Sequence, residues 1–352
     1  MIAAARDAMA LRYWLGPWAR PECPDGVTVR AVAGLPEGSR LYAPVGREPR
    51  GAFLISPGLH FEGPADPRMD RLARIFAIAG FVVLSPAVPD LMALRLTANV
   101  AGEVEQALRA LLDAPELPLG CRPAIFSVSV GSLAALRLIT RPEYAAVISQ
   151  LVVFGGYADP HALIRALTEA PRDPLNAPAA MITLLDRIPG APRGDEANEL
   201  RDAWRRMIRT TWPQPALKVP GGTAHHAIAR TIAEDLQRQL RRLFLIGCGV
   251  QDGAWMLCEA ALRAPGAPFA YLDPRPDLDR IACPVTIVHG IGDDVIPFVQ
   301  ARELEAALPR GVAQPTLATG MLAHSQTVPM HRATAIAREL RTFNQICRAI
   351  GG

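Results

Sequence analysis

The sequence predicts an α/β protein built on a mostly parallel central sheet flanked by helices, and three observations carry that expectation. Short apolar runs rich in Val, Ile and Phe recur between stretches of helical period, as strands joined by crossover helices do. Most of those runs are apolar throughout, the pattern of strands covered on both faces. Half of the 352 residues are hydrophobic and a fifth are charged, a globular composition long enough for two domains or for one domain with a large insertion.

The elements follow in order. Residues 27–33 (VTVRAVA) and 40–45 (RLYAPV) alternate and are separated by LPEGS, so they read as an antiparallel pair at a sheet edge. AFLIS (52–56), FVVLSP (81–86), AIFSVS (124–129), LVVFGG (151–156) and VTIVHG (285–290) read as buried strands, with PTLATG (315–320) as a weaker one. Helical period marks 67–79, 101–113, 131–140, 299–308 and 331–348. The connection from LVVFGG to VTIVHG is far longer than a crossover needs. Its pieces HALIRALTEA, ANELRDAWRRMIRTTW and HHAIARTIAEDLQRQLRRLFLIG have helical period, while 171–178 and 186–194 read as loops. The expected organisation is therefore an N-terminal helical segment (1–26), the first part of the sheet domain (27–159), a mostly helical cap inserted after the sixth strand (160–280) and the second part of the sheet domain (281–352).

A formal net charge of +3, with basic residues scattered along the chain, gives no nucleic-acid footprint. Lys218 is the only lysine, so Schiff-base or P-loop chemistry would have to rest on it, and no glycine-rich loop precedes it. The six cysteines show no CxxC spacing and read as reduced, buried thiols; no cofactor or metal is implied. Arg6, Asp7 and Arg12 interrupt any apolar leader, and no apolar run is long enough to span a bilayer, so a soluble cytoplasmic protein is expected. The aromatic stretch 11–18 (LRYWLGPW) reads as a helix packed on the body of the protein, with a membrane surface as its alternative seat.

The chemistry concentrates at three places. AIFSVS runs directly into GSLAALRLIT, which puts Ser127-Val128-Ser129-Val130-Gly131 at a strand-to-helix turn, the setting of a nucleophile elbow, with Ser127 where the usual pattern has its first glycine. VTIVHG ends in His289-Gly290-Ile291-Gly292-Asp293-Asp294-Val295-Ile296-Pro297, a carboxylate just beyond a strand's carboxyl end. His324 follows the last strand candidate. Serine, carboxylate and imidazole are the types that acyl transfer needs: the imidazole takes the serine proton, and the carboxylate orients it and stabilises the imidazolium.

In this order and context the sequence resembles the α/β-hydrolase superfamily from about residue 27 to the C-terminus. H-G-I-G-D-D-V-I-P is similar to the family's acid segment H-G-x-x-D-x-x-V/I-P, which implies Asp293 as triad acid beside the nucleophile Ser129 and the base His324. The resemblance also implies an oxyanion hole made by the amides of Val130 and of Leu59, in the loop Ser56-Pro57-Gly58-Leu59-His60-Phe61-Glu62-Gly63, where Pro57-Gly58 stands in place of His-Gly. His60 and Trp255 are candidate substrate-lining residues. Asp294 and Asp159 are the alternative acids, read otherwise as a loop cap and as the start of the insertion's first helix. Trp204, Met207 and Trp212 read as packing more than pocket, and the adjacent His225-His226 pair lacks the ligand cluster a metal needs. The activity implied is a serine hydrolase on a small-molecule acyl substrate, by default a short-to-medium carboxylic ester. Acyl transfer, thioester or C–C cleavage, and a non-catalytic binding protein are the alternatives.

Overall fold

The computed structural model describes residues 24–266, 268–323, 326–327 and 333–351. Its main strands are β1 (Val27–Ala31), β2 (Arg40–Pro44), β3 (Gly51–Ser56), β4 (Phe81–Ser85), β5 (Ala124–Val128), β6 (Leu151–Phe154), β7 (Val285–Gly290) and β8 (Leu317–Thr319). They form one eight-stranded sheet in the order β1-β2-β4-β3-β5-β6-β7-β8. The edge pair is antiparallel, as its alternation predicts, and β2 runs antiparallel to β4 as well; every later pairing is parallel. All eight strand candidates of the sequence are present. The weak one, 315–320, survives as three residues.

The parallel strands bury both faces, and their residues alternate between two layers. Ala52 and Leu54 of β3 pack with Val82, Leu84 and Ile125 on one face, under helices α2 (Val100–Leu112), α3 (Ser132–Ile139) and α10 (Val299–Ala307). Phe53 and Ile55 pack with Val83, Phe126 and Val288 on the other, under α1 (Pro67–Ile78) and α11 (Ala333–Gly351). Phe53, Phe76 and Phe126 interlock there with ring centroids 5.1 and 5.2 Å apart, the tilted and edge-on arrangements that ring quadrupoles favour. Parallel register sets Ser56 beside Ser127, so the loops leaving β3 and β5 emerge side by side at the carboxyl edge.

Between β6 and β7 lie α4 (Pro160–Thr168), α5 (Ala177–Leu184), α6 (Gly194–Thr211), α7 (His225–Glu234), α8 (Arg238–Gly247) and α9 (Ala254–Leu262). Trp204, Met207, Phe244, Met181 and Cys258 build their core, and the same cluster takes in Leu133 of α3 and Ile296 beyond β7, with Leu59, Phe61 and Val130 packed against it. The insertion thus rests on the loops at the carboxyl edge of the sheet. Two expectations are corrected. Residues 171–176 form the expected loop but 177 and 178 already belong to α5, and the single helical run 225–247 is broken at Asp235–Gln237, where Gln237 turns extended. The N-terminal stretch 11–18 and His324 lie outside the described residues. Among those described, no helix is long and apolar enough to cross a membrane.

Candidate active site

Ser129 follows β5 directly in a left-handed backbone conformation, φ +55°, which a side chain adopts at a cost of about 1–3 kcal/mol and which packing must hold. The packing is visible. A Cβ on Gly131 would fall 2.2 Å from the Pro57 carbonyl oxygen, and the Ser56 hydroxyl donates to the Gly131 carbonyl oxygen at 2.8 Å, so the two loops touch backbone to backbone. A Cβ on Gly58 would come 3.2 Å from the Ser129 Cβ. Ser129 opens a helical turn that runs into α3, which places the Val130 amide at a helix start. Ser127, by contrast, points inward and donates to the Val152 carbonyl oxygen at 3.3 Å.

Asp293 is buried in the loop after β7. Its Oδ1 accepts from the amides of Val295 (2.9 Å) and Ile296 (2.8 Å), and its Oδ2 lies 3.4 Å from His289 Nε2. Asp294 is half-buried next to it. Arg172 of the insertion reaches the Asp293 carbonyl oxygen through Nη1 at 3.5 Å.

The third side of the site is the β3–α1 loop. Leu59 is half-buried between the sheet core and the insertion core, and Val130 packs against the latter. The amide of Glu62 donates to His60 Nδ1 at 3.3 Å, and Asp66 Oδ2 is 3.4 Å from the same nitrogen. Burial lowers the proton affinity of His60, opposed by Asp66 and reinforced by Arg68 and Lys218. Burial pushes the Asp66 carboxyl up, but the Arg68 guanidinium, 2.6 Å away, outweighs it and holds Asp66 below the usual carboxylate range. The His60 ring stacks on Phe61 and, across the interface with the insertion, on Trp212, with a centroid separation of 5.8 Å.

The other candidates sit as follows. Trp255 is half-buried on the insertion core with the Arg165 guanidinium 5.7 Å from its ring, so it is Trp212 that meets His60. Asp159 caps α4, accepting from the amides of His161 and Ala162, and pairs with Arg275 at 3.2 Å. His225 is buried, with Nε2 donating to the Cys248 carbonyl oxygen. Among the described residues, no three His, Cys, Asp or Glu side chains gather as a metal site. A depression of about 360 Å³ lined by Arg50, Phe81, Cys121 and Gln150 opens at the amino ends of the strands, away from Ser129.

Three residues joined to this region escape sequence reasoning: Trp212 as a partner of His60, Arg172, and Glu339 of α11. Glu339 is buried and accepts from the Thr319 hydroxyl (2.9 Å) and the Gly320 amide (3.0 Å), anchoring the end of β8. In sequence it looks like the polar face of a helix.

No protein-family model and no curated protein matches the chain. Among solved structures it is similar to the 2,6-dihydroxy-pseudo-oxynicotine hydrolase, with 13% identity, a TM-score of 0.47, and 93% of this chain and 67% of that one covered. It is likewise similar to an alpha/beta hydrolase superfamily protein from Enterococcus faecalis, with 13% identity, a TM-score of 0.46, and 92% and 98% covered. Such distant likenesses leave the assignment to the chain's own topology. By the order of its eight strands, its antiparallel second strand and the left-handed serine that closes the fifth, the chain has the α/β-hydrolase fold.

Proposed function

We propose that the protein is a serine hydrolase that works through an acyl-enzyme. The observation that carries this reading is the backbone of Ser129: a strained, left-handed serine at a strand-to-helix turn, pressed against Gly58, is the arrangement that lifts a hydroxyl out of the sheet toward backbone donors. In this reading His324 takes the Ser129 proton as the oxygen attacks the acyl carbon. Asp293 orients the imidazole, and the amides of Val130 and Leu59 stabilise the oxyanion. The leaving alcohol takes the proton from His324, and water then repeats the sequence to free the acid. Two backbone donors on Asp293 Oδ1 support its role, because they fix the carboxylate's position and orientation. Short-to-medium carboxylic esters are the substrate class, in keeping with the apolar insertion core against Leu59, Phe61 and Val130.

An organophosphonate ester tests the nucleophile. Mass spectrometry of the labelled protein should place one adduct on Ser129 and none on Ser127, and Ser129→Ala should abolish labelling. An adduct elsewhere, or none on protein that hydrolyses esters, would overturn the assignment.

A further inference from the structure

The insertion carries the only lysine of the chain, Lys218, to a mostly buried position beside Asp173. The Lys218 side chain is 10% exposed, and its Nζ lies 4.0 Å from Oδ2 of the buried Asp173. Contacts of the segment around Asp173 tie that position to the loop after β7 and to the β3–α1 loop. Arg172 donates to the Asp293 carbonyl oxygen, and Trp212, whose indole N–H donates to the Leu175 carbonyl oxygen at 3.1 Å, stacks on His60. Lys218 also acts electrostatically on His60 and feels Arg68 and Asp294. The Arg68 guanidinium is engaged in three hydrogen bonds with the Asp66 carboxylate. Burial lowers the proton affinity of the Lys218 ammonium, and Asp173 opposes that shift.

A second observation comes from Asn176, three residues beyond Asp173. It is 8% exposed, and its Nδ2 is buried without a hydrogen-bond partner. Buried polar groups are nearly always satisfied, and an exception in a site region marks a place for a bound group to complete the set. The choice of lysine is informative too. In a chain whose other 36 basic residues are arginine, the mostly buried cation here is a compact point charge and not a planar fork.

We propose that Lys218 and Asn176 form a subsite for a carboxylate on the substrate, so that the enzyme prefers esters carrying one negative charge at the far end of the acyl chain. The Lys218 ammonium supplies a positive charge and the Asn176 amide supplies N–H donors, the two things that a carboxylate's oxygens accept. The proposal rests on the hydrolase reading for the word ester, but the subsite can be measured without catalysis.

Calorimetric titration of Ser129→Ala protein with monomethyl glutarate and with dimethyl glutarate gives that measurement. The monoanion should bind at least tenfold tighter than the neutral diester, and the ratio should shrink as salt is raised. Adding Lys218→Met should cut the ratio at least tenfold, while Lys218→Arg should keep part of it. Asn176→Asp, which leaves the lysine in place, should lower the ratio by like-charge repulsion and serves if Lys218→Met does not fold. A ratio near one in the starting protein, or a ratio unmoved by folded Lys218→Met, overturns the subsite. Phosphonate labelling of wild-type Ser129 tells the two failures apart: an adduct with an unmoved ratio removes the subsite alone, and a collapsing ratio without an adduct keeps the subsite and removes the hydrolase.

Discussion

His289 and Asp293 are bound into one buried unit: the imidazole Nε2 donates to the Ile296 carbonyl oxygen at 2.9 Å and lies 3.4 Å from the Asp293 carboxylate. The ring therefore closes the loop whose amides hold Asp293. Replacing His289 by Leu removes the donor and leaves a buried carbonyl unpaired, at a cost of about 1–3 kcal/mol. Turnover should fall by one to two orders of magnitude, in kcat more than in KM, with a lowered Tm. His289→Gln keeps an N–H donor and should recover part of both. Equal losses in the two variants would show that ring packing, not the donor, holds the loop.

Asp293 and Asp294 are adjacent, but only Asp293 takes two backbone amides on one oxygen. An asparagine at 293 can keep those bonds through its own carbonyl oxygen, so Asp293→Asn should fold and still lose activity by as much as about 10⁴, the scale set by loss of the orienting charge in the best-studied triad. Asp294→Asn should lose less than tenfold. Steady-state kinetics of both variants on one ester decides the ranking, and the reverse order would move the acid to Asp294.

The elbow makes a stability prediction independent of any substrate. Gly131→Ala would drive a methyl to 2.2 Å from Pro57 O and 2.5 Å from Ser56 O, both backbone atoms that cannot step aside singly. Overpacking of this kind costs about 1–3 kcal/mol or more. Gly292→Ala meets nothing within 4 Å and is the control. Thermal melts should show a clear drop for the first and little change for the second. Equal melts would mean that the loop from β3 shifts freely away from the elbow.

Glu105 supplies a pH test. On α2 it accepts from Tyr144 Oη (2.7 Å), Arg109 Nη2 (2.6 Å) and Arg141. Burial pushes its pKa up, but those donors outweigh burial and bring it down to about 2. A carboxyl with a depressed folded pKa adds stability above its unfolded value, about 4.3, and loses it as pH falls toward 2. The Tm gap between wild type and Glu105→Gln should be widest near pH 7 and close between pH 4 and 2. A gap constant across that range would assign the effect to neutral hydrogen bonds.

The strands and the local motifs behind the proposed site were legible for physical reasons, and the gaps have reasons too. Fully buried strands declare themselves as apolar runs such as FVVLS and VTIVHG, and the elbow and acid loop are local motifs, readable within ten residues. Helices α5 (APAAMITL) and α9 (AWMLCEAAL) are apolar on nearly every side, so they lack the 3.6-residue stripe by which a helix is read. Trp212 and His60 meet across about 150 positions of chain, and no spacing announces such a pair. Glu339 has the polar look of a solvent-facing position, yet it satisfies Thr319 and Gly320 inside the protein.

The insertion core, built around Trp204, Met207 and Phe244, continues onto Ile296 and Leu133 and is flanked by Leu59, Phe61, Val130 and Val295, so apolar surface from the insertion meets the β3–α1 loop, the residue after Ser129 and the loop after β7. A bounded apolar recess rewards each added methylene by about 0.8 kcal/mol until it is full, and then sterically rejects the next. A plot of log(kcat/KM) against chain length for neutral p-nitrophenyl esters should therefore rise with a slope no steeper than about fourfold per methylene and then turn down. Trp212→Ala should move the maximum to longer chains, because it removes the ring that joins the insertion to His60. A monotonic rise through long chains, with activation at an oil–water interface, would replace the bounded recess by an open lipid-binding face.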